Sequence, residues 1–522
     1  MTRSRRFLTA VAAACAVALA VAGCGGSSSD SGAAADVGEP VSGGVLRALQ
    51  TGEPRSLDPA NLSNTWAHQP ILGNALYGTL MINNSETLEL EYKMATDFST
   101  TDGGATFTLK LRPDLKFTDG NPLDAAAVKF NWDRLRDPAL GSTSIRQAVQ
   151  IASSEVVDST TLKVALTSPN PHFGQALIAG ALNWIASPAA LQKGQPAFDE
   201  NPAGAGPFKL VRWTRQDAIE LERNPGYWDA PKPYVDSVTI RTVSDSNQRI
   251  NTMTTGGADI ASETNYASLN KAESAGLQTA VTTTGGGQFF GMNVRRAPFD
   301  DVRARRAVAL ALDMDTLNSV VYNGEGKVPT TLFEESSPFY TDVALPASNK
   351  EEAQRLFDEL AAEGKPVRFT YLAYPTTESK AAGESIQTQL SAFDNVEVQV
   401  EVVDYAAATA RAGARDFDML ISSSIIQDPD FPMWMAFHST SPGNFTGISD
   451  EELSTALDQG RVAESVDERK AAYDTAQKRI AELVPGVWYT RAVPSVTFGE
   501  NVHGVQLYTL GSPLPEEIWI SD

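Results

Sequence analysis

The sequence predicts an α/β or α+β fold, because strand patterns and helix patterns interleave along the chain after about residue 42. The chain has 522 residues, of which 42% are hydrophobic and 20% are charged. This is the composition of a globular protein with an ample core. The length allows about two to four domains of ordinary size. We therefore expect a multidomain globular body.

The first residues have the features of an export signal. Three arginines within the first six residues precede an apolar run at 7–22, which is shorter than the ~20 residues that span a bilayer. The run ends with Val-Ala-Gly-Cys at 21–24, which resembles a bacterial lipobox; the alternative is an ordinary signal peptide with an incidental cysteine. We expect residues 1–23 to be a lipoprotein signal peptide, Cys24 to carry the lipid and residues 24–41 to form a flexible tether. The body is then exported and anchored at the outer face of the cell membrane, on the periplasmic or cell-envelope side.

Strands are predicted where apolar and polar residues alternate with a period of two. The pattern is clear in Thr106–Arg112, where Phe107, Leu109 and Leu111 alternate with Thr and Lys. Three further segments show the same period, namely 218–223, 238–242 and 396–402.

Helices are predicted by apolar spacing and by capping motifs. Val128, Trp132 and Leu135 are spaced four and then three apart, as in a buried helical stripe. The pairs Asn349 with Glu352 and Ser449 with Glu452 have the spacing of capping boxes. The helix after Asn349 would bury one face, formed by Ala353, Leu356, Phe357 and Leu360.

Charge and side-chain chemistry exclude several functional classes. The net charge of −22 argues against nucleic-acid binding and against adhesion to anionic lipid. Both cysteines, Cys15 and Cys24, lie in the export segment, so the body lacks a thiol nucleophile, a cysteine zinc site and a disulfide framework. The four histidines do not have metal-ligand spacing, although distant residues can still converge on a metal.

No catalytic signature is present, whether a Gly-x-Ser-x-Gly elbow, a phosphate-binding loop or a His-Glu-x-x-His motif. A secreted hydrolase needs a nucleophile with a base, and no such motif is visible in the sequence. A surface adhesion protein should show repeats or a disulfide-rich module, and the sequence shows neither. The sequence therefore predicts a protein that is not an enzyme and that holds no cofactor or metal. Asp428 and Asp430 flank a proline, which favours a turn, and we expect both carboxylates to be solvated there. His438 is expected to be packed or hydrogen-bonded.

An ordered series of segments resembles the extracellular solute-binding proteins of ABC importers, family 5, which is the peptide-, dipeptide- and nickel-binding group. The set covers nearly all of residues 42–522 in the family order. The segments are Leu57–Pro59, Asn74–Leu80, Phe107–Asn131 with Phe-x-Asp-Gly-x-Pro at 117–122, Gly204–Trp228 with Arg-Asn-Pro-x-Tyr-Trp at 223–228, Phe290–Asp313, and Phe417–Asp418 leading to Asp428–Pro429.

This resemblance implies a two-lobed periplasmic-binding-protein-like fold with an additional inserted domain and a ligand cleft at the hinge. It implies that the protein captures peptides by lobe closure and delivers them to ABC-transporter permease subunits, and that it is a monomer. The expected boundaries are 42–82, 205–290 and 495–522 for lobe one, 83–204 for the inserted domain and 291–494 for lobe two.

The resemblance also implies ligand contacts in the loop after Leu57–Pro59, on the strand that crosses the hinge and at strand ends of lobe two. For the aromatic candidates, burial in the core is the alternative, and for the serines it is an exposed loop. The candidates are Ser63, Asn64, Trp66, Gln288, Phe289, Asn293, Tyr374, Thr376, Ser422, Ser423, Ser424, Asp428 and Trp434.

Two departures from the family pattern bear on specificity. Peptide-binding members place an acid shortly before the Asp-Pro turn for the ligand's α-amino group, and Ser422–Gln427 contains none. Dipeptide binders place an arginine after the strand at 369–374 for the ligand carboxylate, and 369–377 contains none. We therefore expect an oligopeptide, bound as an added strand, in preference to a free dipeptide. A non-peptide solute or a nickel chelate is the alternative.

Overall fold

The computed structural model describes residues 38–521. The expected signal peptide, the lipidation site at Cys24 and most of the tether lie outside these residues. Residues from Pro40 onward form one unit.

Strands alternate with helices along this unit, as predicted. The strands are β1 (Val45–Gln50), β2 (Met81–Asn83), β3 (Leu90–Tyr92), β4 (Ala95–Ser99), β5 (Thr106–Leu111), β6 (Ile151–Val156), β7 (Thr161–Leu166), β8 (Phe208–Thr214), β9 (Ala218–Arg223), β10 (Ser237–Thr242), β11 (Ile260–Glu263), β12 (Gln278–Val281), β13 (Gly285–Met292), β14 (Val367–Ala373), β15 (Val396–Val402), β16 (Met419–Ile426), β17 (Gly486–Thr490), β18 (Ser495–Phe498), β19 (Val502–His503), β20 (Leu507–Tyr508), β21 (Ser512–Pro513) and β22 (Trp519–Ile520).

The helices vary from single turns to eighteen residues. They are α1 (Pro70–Tyr77), α2 (Ala125–Leu135), α3 (Ile145–Ala148), α4 (Phe173–Ile178), α5 (Pro188–Leu191), α6 (Gln195–Glu200), α7 (Ser246–Thr254), α8 (Tyr266–Ser274), α9 (Val302–Ala311), α10 (Met314–Tyr322), α11 (Lys350–Ala362), α12 (Thr377–Leu390), α13 (Tyr405–Ala414), α14 (Asp430–Phe437), α15 (Glu451–Val462) and α16 (Val466–Leu483), with short 3₁₀ turns at Pro59–Asn61, Pro138–Leu140 and Ala181–Asn183.

The first lobe is built on a seven-stranded sheet of order β12-β18-β11-β1-β10-β9-β8. The central strand β1 pairs in parallel with β10 and β11, and Ala48 lies opposite both Ile240 and Ile260. The outer pairs β8–β9, β9–β10, β11–β18 and β12–β18 are antiparallel. Because β18 comes from near the end of the chain, the first lobe is discontinuous in sequence.

The second lobe is built on a five-stranded sheet of order β15-β14-β16-β13-β17. β14 pairs in parallel with β15 and β16, whereas β13 is antiparallel to β16 and β17. One buried apolar cluster, containing Phe290, Phe357 and Tyr371, packs with helices α9, α11 and α12. A separate cluster, containing Phe289 and Tyr473, packs with α14, α15 and α16.

A four-stranded antiparallel sheet of order β4-β5-β7-β6 forms the inserted domain. Phe98 and Phe107 stack with ring centroids 4.6 Å apart. The fully buried Trp132 of α2 lies in the same continuous apolar cluster as Leu46 and Ile240 of the first lobe. The inserted domain and the first lobe therefore share one core.

Two neighbouring chain segments, 282–284 and 491–494, connect the two large sheets. The Thr282 amide donates to the Pro494 carbonyl at 2.8 Å, which ties the segments together. β13 pairs with β16 from Gly285 to Met292, so residues 285–290 lie in the second lobe. The expected boundary at 290/291 is thus displaced, because the apolar pattern of β13 does not reveal which sheet the strand joins.

Most local predictions are confirmed. The strands at 106–111, 218–223, 237–242 and 396–402 are present. The Asn349 side chain accepts a hydrogen bond from the Glu352 amide at the start of α11. The prediction of a cap at Ser449 is wrong, because Asp450 caps α15 by accepting from the Leu453 amide.

Among residues 38–521, no helix is both long enough and apolar enough to cross a membrane.

Candidate ligand-binding site

A cavity of about 530 Å³ lies between the two lobes, and we call it the central cavity. The first lobe and the inserted domain contribute Thr65, Gln175 and Thr509, among other residues. The second lobe contributes much of β16 and the start of α14. The lining is therefore assembled from segments that are hundreds of residues apart in sequence.

The serines predicted to line the cleft do lie at the central cavity. Ser422, Ser423 and Ser424 all belong to its lining, together with the predicted candidates Phe289 and Tyr374. The serines lie in the middle of β16, so the expectation that they end a strand is wrong. The pairing of β16 with β13 continues through them as far as Ile426, because backbone hydrogen bonds do not depend on apolar side chains.

One edge of β16 is open beside the cavity. β14 pairs with β16 only at Met419 and Leu420. Residues 421–425 line the cavity, and β13 covers only one of their two edges. This part of β16 therefore offers backbone donors and acceptors to a molecule in the cavity.

Asp428 lines the cavity, but its carboxylate is already paired. Arg469 holds it with two hydrogen bonds of 2.9 Å each, and both side chains are buried. Burial acts to raise the pKa of Asp428, but the charge and hydrogen bonds of Arg469 outweigh it, so this pKa lies below its ordinary value.

Asp430 is paired in the same way. It accepts a hydrogen bond from Arg461 at 2.7 Å and another from Asn170 at 2.7 Å. The expectation that Asp428 and Asp430 are solvated turn acids is therefore wrong. The reason is that arginines of α15 and α16, distant in sequence, cover the turn.

Several hydrogen bonds join the inserted domain to the second lobe around the cavity. Asn170 bonds Asp430 as described, and Asn83 donates to the Gln427 side chain at 3.2 Å. The His172 ring lies 2.6 Å from the Ala463 carbonyl oxygen, and burial, followed by the charge of Arg469, lowers the pKa of His172. The lobes are thus closed over the cavity.

Three buried polar atoms in the lining have no hydrogen-bond partner within residues 38–521. They are the Ser424 hydroxyl, the side-chain nitrogen of Gln427 and the side-chain oxygen of Gln147. Because a buried polar group without a partner is costly, these atoms mark positions at which a ligand can bond.

The predicted candidates of the loop after Leu57–Pro59 lie outside the lining. Asn64 is buried and donates to the Ile178 carbonyl and the Tyr508 hydroxyl, both at 2.8 Å. Trp66 is 7% exposed, and the Ser63 hydroxyl lies 3.4 Å from the Thr65 hydroxyl. Thr65 is the residue of this loop that reaches the cavity.

Four further candidates also lie outside the lining, and their side chains bond within the protein. Gln288 accepts from the Tyr489 hydroxyl, and Asn293 donates to two backbone carbonyls at 2.9 Å. Thr376 caps α12, and the Trp434 ring nitrogen donates to Asp458 at 3.0 Å. Trp434 also stacks on His438, which is packed and hydrogen-bonded as expected.

Several lining residues were not predicted from the sequence. Arg146, Gln147 and Gln175 come from the inserted domain, and Thr509 and Leu510 come from the C-terminal segment. No local pattern marks them, because their neighbours in the site are remote in sequence. Within the part of the chain that the structure describes, no group of three or more His, Cys, Asp or Glu side chains is placed to hold a metal ion.

Comparison with known proteins identifies the family. Residues 89–444, more than half of the chain, match the model of the bacterial extracellular solute-binding proteins, family 5, middle region. The chain belongs to this family.

Two curated relatives of this family 5 protein are glutathione-binding proteins named GsiB. The protein of Shigella boydii serotype 4 (strain Sb227) is 33% identical over 272 residues, which are 52% of each chain. The protein of Escherichia coli (strain K12) is 32% identical over 270 residues, again 52% of each chain. The chain thus spans about half the length of the curated relatives it matches.

Solved structures confirm the two-lobed fold of this family 5 protein. AgaA of A. tumefaciens R10, in complex with agropinic acid, has a TM-score of 0.76 and 25% identity, with 92% of this chain and 99% of that chain covered. AppA of Bacillus subtilis, in complex with a nonapeptide, has a TM-score of 0.72 and 23% identity, with 93% and 100% covered. DppA of Helicobacter pylori, in complex with the peptide STSA, has a TM-score of 0.75 and 23% identity, with 92% and 99% covered.

Proposed function

We propose that this protein is the lipid-anchored substrate-binding component of an ABC importer, and that it captures oligopeptides in the central cavity and delivers them to a membrane permease. The observation that carries this proposal is the cavity of about 530 Å³ with an open strand edge along one wall. Its volume is in the usual range of small-molecule pockets, ~300–1,000 Å³. The protein acts by binding and has no catalytic role.

The open edge of β16 supports a peptide ligand. An extended peptide adds to a sheet by main-chain hydrogen bonds, which are independent of its sequence. Residues 421–425 provide such an edge inside the cavity, with the unpartnered Ser424 hydroxyl beside it. The glutathione-binding relatives and the peptide complexes of similar fold agree with this ligand class.

The lining acids support an oligopeptide in preference to a free dipeptide. A buried dipeptide zwitterion needs a carboxylate for its ammonium group, and an unpaired buried charge costs several kcal/mol. Asp428 and Asp430 already neutralise Arg469 and Arg461. A longer peptide presents neutral amides to the cavity while its amino end lies outside.

Ligand screening tests this proposal. We would measure melting temperatures and titration calorimetry with a dipeptide library, a tetrapeptide library and glutathione. The tetrapeptides should stabilise the protein by about 2.7 kcal/mol at 100 times their dissociation constant. The same tetrapeptides with N-methylated backbones should bind more weakly, since they lack amide donors. Micromolar binding of free dipeptides, or equal binding of N-methylated peptides, would overturn the oligopeptide assignment.

A further inference from the structure

The central cavity has an uncompensated positive charge at one side. Arg146, on α3 of the inserted domain, lines the cavity. None of the ion pairs or side-chain hydrogen bonds within residues 38–521 involves its guanidinium group. By contrast, the lining carboxylates Asp428 and Asp430 each have an arginine partner. The net charge of the lining side chains is therefore positive once these pairs are counted.

Two more arginines, both of the second lobe, adjoin the cavity at its lining residue Phe445. The Arg415 guanidinium lies 4.4 Å from the ring centre of the lining residue Phe445. Arg295 donates to the Phe445 carbonyl at 3.1 Å and to the Asn444 carbonyl at 3.2 Å. In the described chain, neither Arg295 nor Arg415 has a carboxylate partner. We call Arg146, Arg295 and Arg415 the arginine cluster.

Arg295 and Arg415 both contact Phe445, and Arg146 lines the same cavity as Phe445. Burial lowers the pKa of Arg415, and the charges of Arg295 and Arg146 lower it further. Arg415 also ends α13 in the left-handed conformation, with φ of 62°, which favours glycine. The chain has 64 acidic residues, yet none pairs with this cluster in residues 38–521. Like charges that lie near one another are unfavourable unless an anion lies between them.

We propose that the arginine cluster binds a carboxylate of the captured ligand, so that the substrates are peptides recognised by a carboxylate and not by an α-ammonium group. This inference rests on the proposed role of the central cavity as the ligand site. An arginine has five N–H donors, and Arg415 uses two of its groups on the carbonyls of Ala412 and Pro442, which leaves donors for an anion. The Ser424 hydroxyl and the Gln427 amide then bond neutral parts of the ligand.

The placement of the cluster also links the ligand's charge to closure. Arg146 belongs to the inserted domain, whereas Arg295 and Arg415 belong to the second lobe. Their repulsion opposes closure of the empty cleft, and a carboxylate between them replaces that repulsion with attraction. A neutral ligand of the same shape lacks this effect.

The test uses N-acetylated tetrapeptide libraries, which have no α-ammonium group, with a free C-terminal carboxylate or with a C-terminal amide. Each library is prepared with and without Asp and Glu, so that a C-terminal and a side-chain carboxylate are distinguished. Libraries with any carboxylate should bind about tenfold to a hundredfold more tightly than the amidated library without acids. Solution scattering should show a smaller radius of gyration with the carboxylated libraries only.

Two variants assign the effect to the cluster. Arg146→Gln should reduce binding of the carboxylated libraries to the level of the neutral library, and Arg146→Lys should restore part of it. Arg415→Gly should weaken the same binding while the protein stays folded, because glycine suits the left-handed backbone there. The matched control is Arg136→Gln, at a half-buried arginine of the inserted domain that pairs with Asp133 at 3.7 Å and should not change binding.

The possible outcomes distinguish failure of the carboxylate site from failure of peptide capture. Equal binding of carboxylated and neutral libraries, or unchanged binding in Arg146→Gln, overturns the carboxylate site but leaves peptide capture intact. If only peptides with a free amino group bind, the recognition proposed here is wrong. If no peptide binds, peptide capture fails, and citrate becomes the probe. Stabilisation by citrate in the wild type, lost in Arg146→Gln, would still support the carboxylate site, and no stabilisation would overturn it.

Discussion

Two properties of this protein depend on single residues and can be tested separately. They are the ionisation of the buried Glu516 and the expected attachment of a lipid at Cys24. Glu516 is 2% exposed, and one of its carboxyl oxygens has no hydrogen-bond partner within residues 38–521. Burial raises the pKa of Glu516 to about 7. The charges of Lys93 and Lys232 act in the opposite direction but do not outweigh burial, since both lysines pair with Glu517.

Glu516→Gln should remove a pH-dependent loss of stability. Between the unfolded pKa of about 4.3 and the folded pKa, the folded protein binds the proton that the unfolded chain has released, so stability falls as pH rises. The neutral Gln variant lacks this loss. Its free energy of unfolding, relative to the wild type, should increase by about 2 kcal/mol from about pH 5.5 to pH 7 and then level off. Urea denaturation at several pH values measures this.

The control for that series is Glu200→Gln, at an exposed glutamate that ends α6. Its stability should follow the pH profile of the wild type. A stability difference between Glu516→Gln and the wild type that does not change with pH would contradict the raised pKa of Glu516.

Cys24→Ser should release the protein from membranes if Cys24 carries the lipid. The expectation depends on the Val-Ala-Gly-Cys motif at 21–24, because the thiol of Cys24 is the only group there that accepts the diacylglycerol in a lipobox. Fractionation of cells and washed vesicles followed by immunoblotting measures the distribution. Cys15→Ser is the control and should remain membrane-bound. Retention of Cys24→Ser in washed vesicles would refute the anchor.

Among the elements, β13 decides how the second lobe is assembled next to the hinge. Its first three residues are glycines that pack closely against neighbouring backbone. A Cβ on Gly286 would lie 2.0 Å from the Ser424 carbonyl oxygen, and one on Gly287 would lie 2.2 Å from the Thr490 carbonyl oxygen. Both glycines have positive φ. The glycine run thus permits β13 to lie between β16 and β17.

Gly287→Ala should therefore destabilise the protein by at least about 1–3 kcal/mol, because the methyl group clashes with backbone and the residue has φ of 128°. Gly413→Ala in α13 is the matched control, since a Cβ there meets nothing within 4 Å. It should stabilise the protein by up to about 1 kcal/mol through helix propensity. Thermal unfolding compares the two variants. Equal stability of Gly287→Ala and the wild type would show that β13 relaxes without cost.

At the scale of the whole molecule, the proposed capture of a ligand depends on the balance between open and closed lobes. The closed form includes hydrogen bonds between the inserted domain and the second lobe, among them Asn170 to Asp430 at 2.7 Å. Such bonds form only when the lobes meet. They therefore favour closure, and through it they raise the apparent affinity for any ligand held in the cavity.

Asn170→Ala should shift this balance toward the open form. The loss of a hydrogen bond to a charged carboxylate is worth about 1.5–3 kcal/mol, so the tetrapeptide library should bind at least about tenfold more weakly. Calorimetry gives the affinity, and solution scattering should show a larger radius of gyration without ligand. Asn247→Ala is the control, at an exposed asparagine of α7 that accepts a hydrogen bond from Lys271 within the first lobe, and it should change neither value. Unchanged binding by Asn170→Ala would show that this contact does not favour closure.

The sequence alone determined the local structure and the family of this protein. The helical spacing of the apolar residues in α11 and the alternation of apolar and polar residues in β15 depend only on nearby residues. These two elements could therefore be predicted closely from the sequence. The ordered motifs likewise predicted a family 5 fold, which the match over 89–444 confirms. The sequence also confined every cysteine to the first 24 residues, which removes thiol chemistry from the body.

Only the tertiary structure decided which side chains line the cavity and which charges remain there. The sequence could not show that the Asp428 carboxylate is paired, because its partner Arg469 lies 41 residues further along the chain. Arg146 and Arg415 share no sequence pattern, because they reach the cavity from different domains, Arg146 in the lining itself and Arg415 against the lining residue Phe445. Ionic and cavity contacts form between residues that are distant in sequence, so a local pattern carries no signal for them. The folded chain therefore decides the chemistry of the site, whereas the sequence predicts the strands and helices that carry it.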